Sequence, residues 1–151
     1  NDMFKTDISK IDLGVKEFKL SSSNFKVWDS GVEKTSEAIQ GKLELHTEHI
    51  KPESTQEAIL FEVLLKSGFP LTTTIEQLSM EGKKVFSIAE GELLICLEDE
   101  LTHELLKAIA ERKPSRVICL DKAFKGDNAD ALKTNAVQIM KSKGVVNFRT
   151  V

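Results

Sequence analysis

Tyrosine is absent from this chain of 151 residues, tryptophan occurs once, cysteine twice and proline three times. Cys96 and Cys119 each sit inside an apolar segment, Leu-Leu-Ile-Cys-Leu and Val-Ile-Cys-Leu. Neither has a histidine nearby in sequence, and the pair lacks metal-ligand spacing, so both read as core thiols. A reducing cytoplasm suits them better than a disulfide or a nucleophile. No apolar run approaches the roughly 20 residues that cross a bilayer, and no signal-peptide pattern opens the chain, so no membrane partner is expected. The chemical signatures missing are as telling. There is no Gly-rich phosphate loop, no Gly-x-Ser-x-Gly and no His-Glu-x-x-His. Internal repeats and low-complexity segments are also lacking.

What remains is 40% hydrophobic and long enough for one domain with a sizeable core. The opening Asn1-Asp2, with Met3 behind it, reads as a cut from something larger. The net charge of −3 is unevenly spread. Residues 1–100 hold 11 Lys/Arg against 19 Asp/Glu, and residues 101–151 hold 10 against 5. A basic C-terminal part is compatible with contacting DNA or an acidic partner, though solvated helix faces are the more favoured explanation.

The pattern of elements changes along the chain. Residues 1–13 show no sustained period and read as an arm. Val15–Leu20 and Phe25–Trp28 are short β-type runs separated by Ser21-Ser-Ser-Asn24, which is turn chemistry, so residues 1–30 read as an arm with either a hairpin or a strand, a turn and an extended run. A broken helix is expected between Val32 and His49, weakened by Gly41. Ser54-Thr-Gln-Glu57 is a capping box opening a helix over Ser54–Ser67, which Gly68 and Pro70 stop. Thr74–Met80, Val85–Ala89 and Glu92–Leu97, split by Glu81-Gly82 and Glu90-Gly91, describe an antiparallel meander. An amphipathic helix over Leu101–Glu111 ends before Pro114. Val117–Leu120 reads as a strand buried on both faces. Asp127-Asn128 can cap a helix that Gly144 closes, and Val145–Val151 is a last strand. The fold class is therefore α/β: a mixed sheet with an antiparallel meander, then two βαβ crossovers, with helices packed on the sheet. Residues 31–151 are expected to form the single α/β domain, and residues 1–30 either pack on it or lie against a missing one.

Candidate chemistry is sparse. His46 and His49, flanked by Glu44 and Glu48, could share a helix face, but no third clear ligand accompanies them and no metal site is assigned. His103 reads as a surface residue in a first helical turn. Asp121 follows the buried strand directly, where open α/β sheets gather ligands. Lys122, Lys125, Asp127 and Asn128 lie in the loop after it. Two readings compete: a site that binds or positions an anion, or a carboxylate capping the strand end among solvated lysines. The second is favoured, because loops at this edge are polar in most folds. Lys133, Thr134 and Asn135 leave two options for the next helix. Either it starts only near Lys133, or it is continuous and Asn135 makes a buried polar contact to the Asp121 loop.

Wording decides more than periodicity here. Phe18-Lys-Leu-Ser-Ser-Ser-Asn-Phe-Lys-Val-Trp28, the helix Gln56–Ser67 ending at Gly68, Arg116-Val-Ile-Cys-Leu-Asp121, Leu132-Lys-Thr-Asn135 and Phe148-Arg-Thr-Val151 together resemble the C-terminal region of type III restriction–modification methyltransferases. The resemblance, to the Mod subunit, covers nearly the whole chain through the order and spacing of these segments. It implies a parent that is an adenine-N6 DNA methyltransferase using S-adenosylmethionine. That family clamps the flipped adenine with an Asp-Pro-Pro-Tyr type motif. This chain has no tyrosine, its prolines are isolated, and the target-recognition segment is missing. No catalytic residue carries over, and the chain by itself is expected to be inactive and to bind no cofactor. What the resemblance implies is assembly: packing on the rest of the methyltransferase subunit, joining a second copy, or docking the restriction subunit. Two alternatives stand beside it. One is a DNA-backbone contact within the full complex through Lys122, Lys125 and Lys133. The other is a small independent enzyme with Asp121 as ligand or base, with Asn135 among its neighbours.

Overall fold

The computed structural model describes residues 14–26, 50–126 and 128–151. Expectations for residues 1–13, the Val32–His49 helix with His46 and His49, Trp28 and Asp127 lie outside these residues. The described elements are helix α1 (Gln56–Lys66), strands β1 (Ile75–Met80), β2 (Lys83–Ile88) and β3 (Leu93–Cys96), helix α2 (His103–Glu111), strand β4 (Arg116–Cys119), helix α3 (Ala129–Ser142) and strand β5 (Asn147–Thr150). A short 3-10 turn, Asp121–Ala123, follows β4.

The five strands form one sheet in the order β1-β2-β3-β4-β5. The first three are antiparallel, and β3, β4 and β5 are mutually parallel. This is the meander followed by two βαβ crossovers, as the sequence predicts. The β1–β2 turn is a two-residue loop, Glu81-Gly82, between the paired Met80 and Lys83. Positive φ at both, 48° and 73°, matches the strand twist. The β2–β3 loop is longer than Glu90-Gly91: Ile88 pairs with Leu93, leaving four residues between them.

Register sorts the side chains onto two faces. Phe86, Ile95 and Ile118 share one face, while Ser87, Leu94 and Val117 share the other. Helix α1 lies over the first, where Leu60 and Phe61 line a hollow with Ile75, Gln77 and Phe86. Helices α2 and α3 pack on each other, and both crossovers step the same way along the sheet. They therefore cover the second face, where Leu94, Cys96, Val117 and Cys119 are buried. Both thiols are free and buried, and burial pushes both above the ordinary thiol range. They are core residues, poor as nucleophiles.

Helix boundaries show where local chemistry differs from the sequence expectation. The N-cap of α1 is Thr55, not Ser54; its extended backbone aims the hydroxyl at the Ala58 N–H, 3.2 Å away. This shift places Ala58 at the third helical position, so the Ser54–Glu57 box does not close. Ser54 instead donates to the Asn24 carbonyl at 3.4 Å. Thr102 caps α2 in the same way, accepting from Leu105 at 3.2 Å. Asn128 stands at the N-cap of α3 without a side-chain cap bond.

At the other ends, Gly68 and Gly144 take left-handed φ of 87° and 85°. The Gly144 N–H donates to Lys141 and the Val145 N–H to Met140, the two bonds of a Schellman cap. Helix α2 ends at the same position of its turn on Lys113, with φ 52°. A Cβ there opposes the left-handed backbone. Lys113→Gly is accordingly expected to raise stability by about 0.5–1 kcal/mol in urea denaturation.

The N-terminal expectation requires correction. No strand forms at Val15–Leu20, and residues 14–26 contain no hairpin. Phe25 pairs instead with Ile50 in an isolated antiparallel bridge, with the Lys51 N–H donating to Asn24 at 2.9 Å. The polar run Ser21–Asn24 does not turn the chain back on itself, because Ser23 and Asn24 bond to α1.

Candidate functional site

The carboxyl ends of β3, β4 and β5 meet the start of α1 at a cleft of about 260 Å³. Leu97, Leu120 and Val151 supply its apolar floor, Ile59 and Gln56 its α1 side, and Asp99, Asp121 and Lys122 its rim. Gln56 donates to the Leu97 carbonyl at 3.0 Å, tying the helix to the strand end. Asp121 opens the 3-10 turn, and its N–H donates to the Val151 carbonyl at 2.8 Å. The strand-end position inferred for Asp121 and Lys122 is therefore a concave one.

The charges there are already matched. Lys133, one turn into α3, hydrogen-bonds the Asp121 carboxylate. Lys122 pairs with Asp99 at 3.0 Å. The hydrogen bond and charge of Lys122 hold Asp99 below the usual carboxylate range. Lys125 and Asn135 are exposed. The structure thus brings Asp121, Lys122 and Lys133 together, and leaves Asn135 outside. The third helix is continuous from Ala129, as one option had it, but the side chain that reaches Asp121 is Lys133 rather than Asn135. Lys133 and Asn135 are two residues apart, so they point to different sides of the helix, and the side carrying Lys133 faces the β4 end. The Asp121–Lys133 pair is 34% and 43% exposed, so Lys133→Met should cost about 1 kcal/mol or less. A melting-temperature fall beyond about 4 °C would show that the pair is more deeply coupled than its exposure implies.

A second constellation was not legible in the sequence. Glu62, on α1, accepts from Ser23 Oγ at 2.5 Å, the Asn24 N–H at 2.7 Å and Asn24 Nδ2 at 2.8 Å. Lys66 Nζ stands 2.7 Å away and lies over the Phe25 ring, 4.4 Å from its centre. Burial alone pushes the Glu62 carboxyl up, but these donors outweigh it and bring the pKa down to about 2. The Glu62/Lys66 spacing of four is visible in the sequence. The partners nearly forty positions away are not.

This anchored segment leaves apolar surface in water. Phe18 packs edge-on against Phe61 of α1, with centroids 4.9 Å apart at 71°. Yet Leu20 and Val15 are almost wholly exposed, and Leu65 is 53% exposed. Between the segment and α1 runs an open groove of about 750 Å³, with Phe18, Leu20, Ala58, Phe61, Leu65 and Leu71 along it. Among the described residues no three His, Cys, Asp or Glu side chains gather as metal ligands, and no helix is long and apolar enough to cross a membrane. Compared with known family models and with curated proteins, the chain matches none.

Proposed function

We propose that this chain is the non-catalytic C-terminal domain of a type III restriction–modification DNA adenine-N6 methyltransferase subunit, and that it serves subunit assembly in the cytoplasm. The segments that resemble that family supply the identity. The observation that carries the assembly role is the apolar groove between residues 17–24 and α1, with Leu20 and Leu65 exposed along it. Contiguous exposed apolar surface of this kind marks an interaction site. A second copy, the body of the methyltransferase or the restriction subunit would cover it. Methyl transfer and S-adenosylmethionine binding belong to the parent outside these residues.

The independent-enzyme reading has a cleft at Asp121 in its favour. It is the weaker one, because Lys133 and Asp99 already occupy the charges that would act there. Two measurements test the proposal. Calorimetry of the chain with S-adenosylmethionine is expected to give no binding heat; measurable binding, or methylation of DNA by the chain alone, would overturn the reading. In the complete gene product, Leu20→Asp with Leu65→Asp should break subunit association while leaving the fold intact by circular dichroism. Undiminished association would remove the groove from the interface.

A further inference from the structure

The excess positive charge of residues 101–151 is not where the loop after β4 would put it. Lys122 and Lys133 are neutralised by Asp99 and Asp121. Four further exposed cations gather at the opposite end of the sheet. Arg112 and Lys113 follow α2, and Lys141 and Lys143 close α3. The two helices pack side by side, and the strands after them begin in register, Arg116 opposite Asn147. The Asn147 N–H donates to the Ser115 carbonyl at 3.2 Å, which holds the two turns together. All four cations are exposed, and none forms a salt bridge among the described residues. Glu111 is the sole carboxylate on residues 110–115 and 141–146.

Basic residues in last helical turns complement the helix dipole, and that alone explains Lys66 in α1 and Lys141 in α3. It does not explain Lys113. That residue occupies the left-handed position where α1 and α3 both carry glycine. The helix end would be better served by glycine, yet a strained backbone holds a cation beside three others. Glu81, Ala89 and Glu90 share the left-handed φ, so the backbone by itself assigns no role to Lys113; what sets it apart is its charge beside three exposed cations.

We propose that Arg112, Lys113, Lys141 and Lys143 form a contact surface for the phosphodiester backbone of a duplex nucleic acid, independent of base sequence. Phosphates repeat at short intervals along a duplex and attract several separated cations at once. A protein partner fits less well: lysine is depleted from the buried centres of protein interfaces, and neither turn carries an aromatic side chain to anchor one. The net charge of −3 does not cancel the patch, because screening limits the reach of distant carboxylates to about 10 Å at 0.1 M salt. The surface is separate from the groove along α1, so each reading can fail without the other.

The test uses the whole chain and a fluorescent DNA duplex of about 20 base pairs, followed by anisotropy from about 50 to 200 mM salt. Four phosphate contacts predict a log–log salt slope near −3.6 at about 0.9 per contact, or roughly a hundredfold loss of affinity over that range. Replacing all four cations by glutamine should weaken binding at the lowest salt by at least about tenfold. Lys122→Gln with Lys125→Gln should leave affinity unchanged. Lys113→Gly is the discriminating variant, because it keeps the fold: its melting temperature should rise by about 1–4 °C while the salt slope shrinks by about 0.9. A scrambled duplex should bind equally. The proposal is overturned by absence of binding at about 50 mM salt, by unchanged affinity in the four-residue variant, or by dependence on base sequence. Poly-glutamate binding as tightly as DNA, with the same loss in that variant, would assign the patch to an acidic protein instead.

Discussion

Leu94→Ala is expected to cost about 3–4 kcal/mol, enough to remove a large share of the stability of an ordinary domain. Leu94 is 1% exposed and sits in the strand where the meander gives way to the parallel half of the sheet. Val117 lies beside it on one side and Ser87 on the other. Above it, α2 and α3 present Leu105, Leu106, Ile109, Ala136 and Met140, all shut off from solvent. Truncation removes three carbons from a site that strand hydrogen bonds prevent from collapsing, so transfer and cavity terms add. Urea denaturation followed by circular dichroism should register the loss, with a melting temperature lower by roughly 10 °C. Leu20→Ala, at a wholly exposed position, should change stability by less than about 0.5 kcal/mol. A cost for Leu94→Ala below about 1 kcal/mol would mean that α2 and α3 do not cover this face tightly.

Glu62→Gln should release residues 14–26 from α1 while the sheet stays folded. The carboxylate serves three hydrogen bonds from Ser23 and Asn24 and faces Lys66. The amide replaces one acceptor with a donor and loses the charge. Folding lowers the Glu62 pKa from 4.5 to about 2. The stabilisation is therefore complete above pH 4.5 and is lost as pH falls through 2. Its size is on the order of 2 kcal/mol, once the exposure of Lys66 is discounted. Hydrogen exchange at the Asn24 amide reads the latch directly, because that N–H is one of the donors. Protection should drop by about tenfold or more in Glu62→Gln at neutral pH, and in the unsubstituted chain on acidification. Equal protection in both proteins would show that Phe25 and its bridge to Ile50 hold the segment without Glu62.

Most of the architecture was legible because its signals are local. Glu81-Gly82 between two β-type runs specifies a tight hairpin wherever the chain goes. Gly68 and Gly144 end helices through their own φ. The strand–helix–strand alternation after Leu93 leaves a parallel sheet as the economical arrangement. Boundaries shifted where two residues could do the same job. Ser54 and Thr55 both offer a hydroxyl, and the choice fell to Thr55 because Asn24, distant in sequence, engages Ser54. The Ser21–Asn24 run has strong turn chemistry, but the same short polar side chains bond equally well to a carboxylate brought from elsewhere. Propensity counts the donors and is silent about the acceptor.

The candidate site divides along the same line. Asp121 was placed correctly at a strand end, since one short apolar run and the residue after it suffice to say so. Its partner was not. Lys133 and Asn135 are two positions apart on a helix, so they point in different directions, and only the docking angle of α3 decides which meets Asp121. The basic character of residues 101–151 was plain from composition, whereas its location was not. Lys122 and Lys133 are cancelled by Asp99 and Asp121, a cancellation that requires two loops and a helix to converge. Arg112, Lys113, Lys141 and Lys143 are some thirty positions apart in pairs, and the crossover geometry makes them neighbours. By itself the sequence determined the order of elements from α1 onward, the meander and the buried thiols, each a consequence of side-chain period and turn chemistry within about a dozen residues. Only the tertiary structure decided which charges remain unpaired and what Ser23 and Asn24 hold, because electrostatic pairing depends on distance in space.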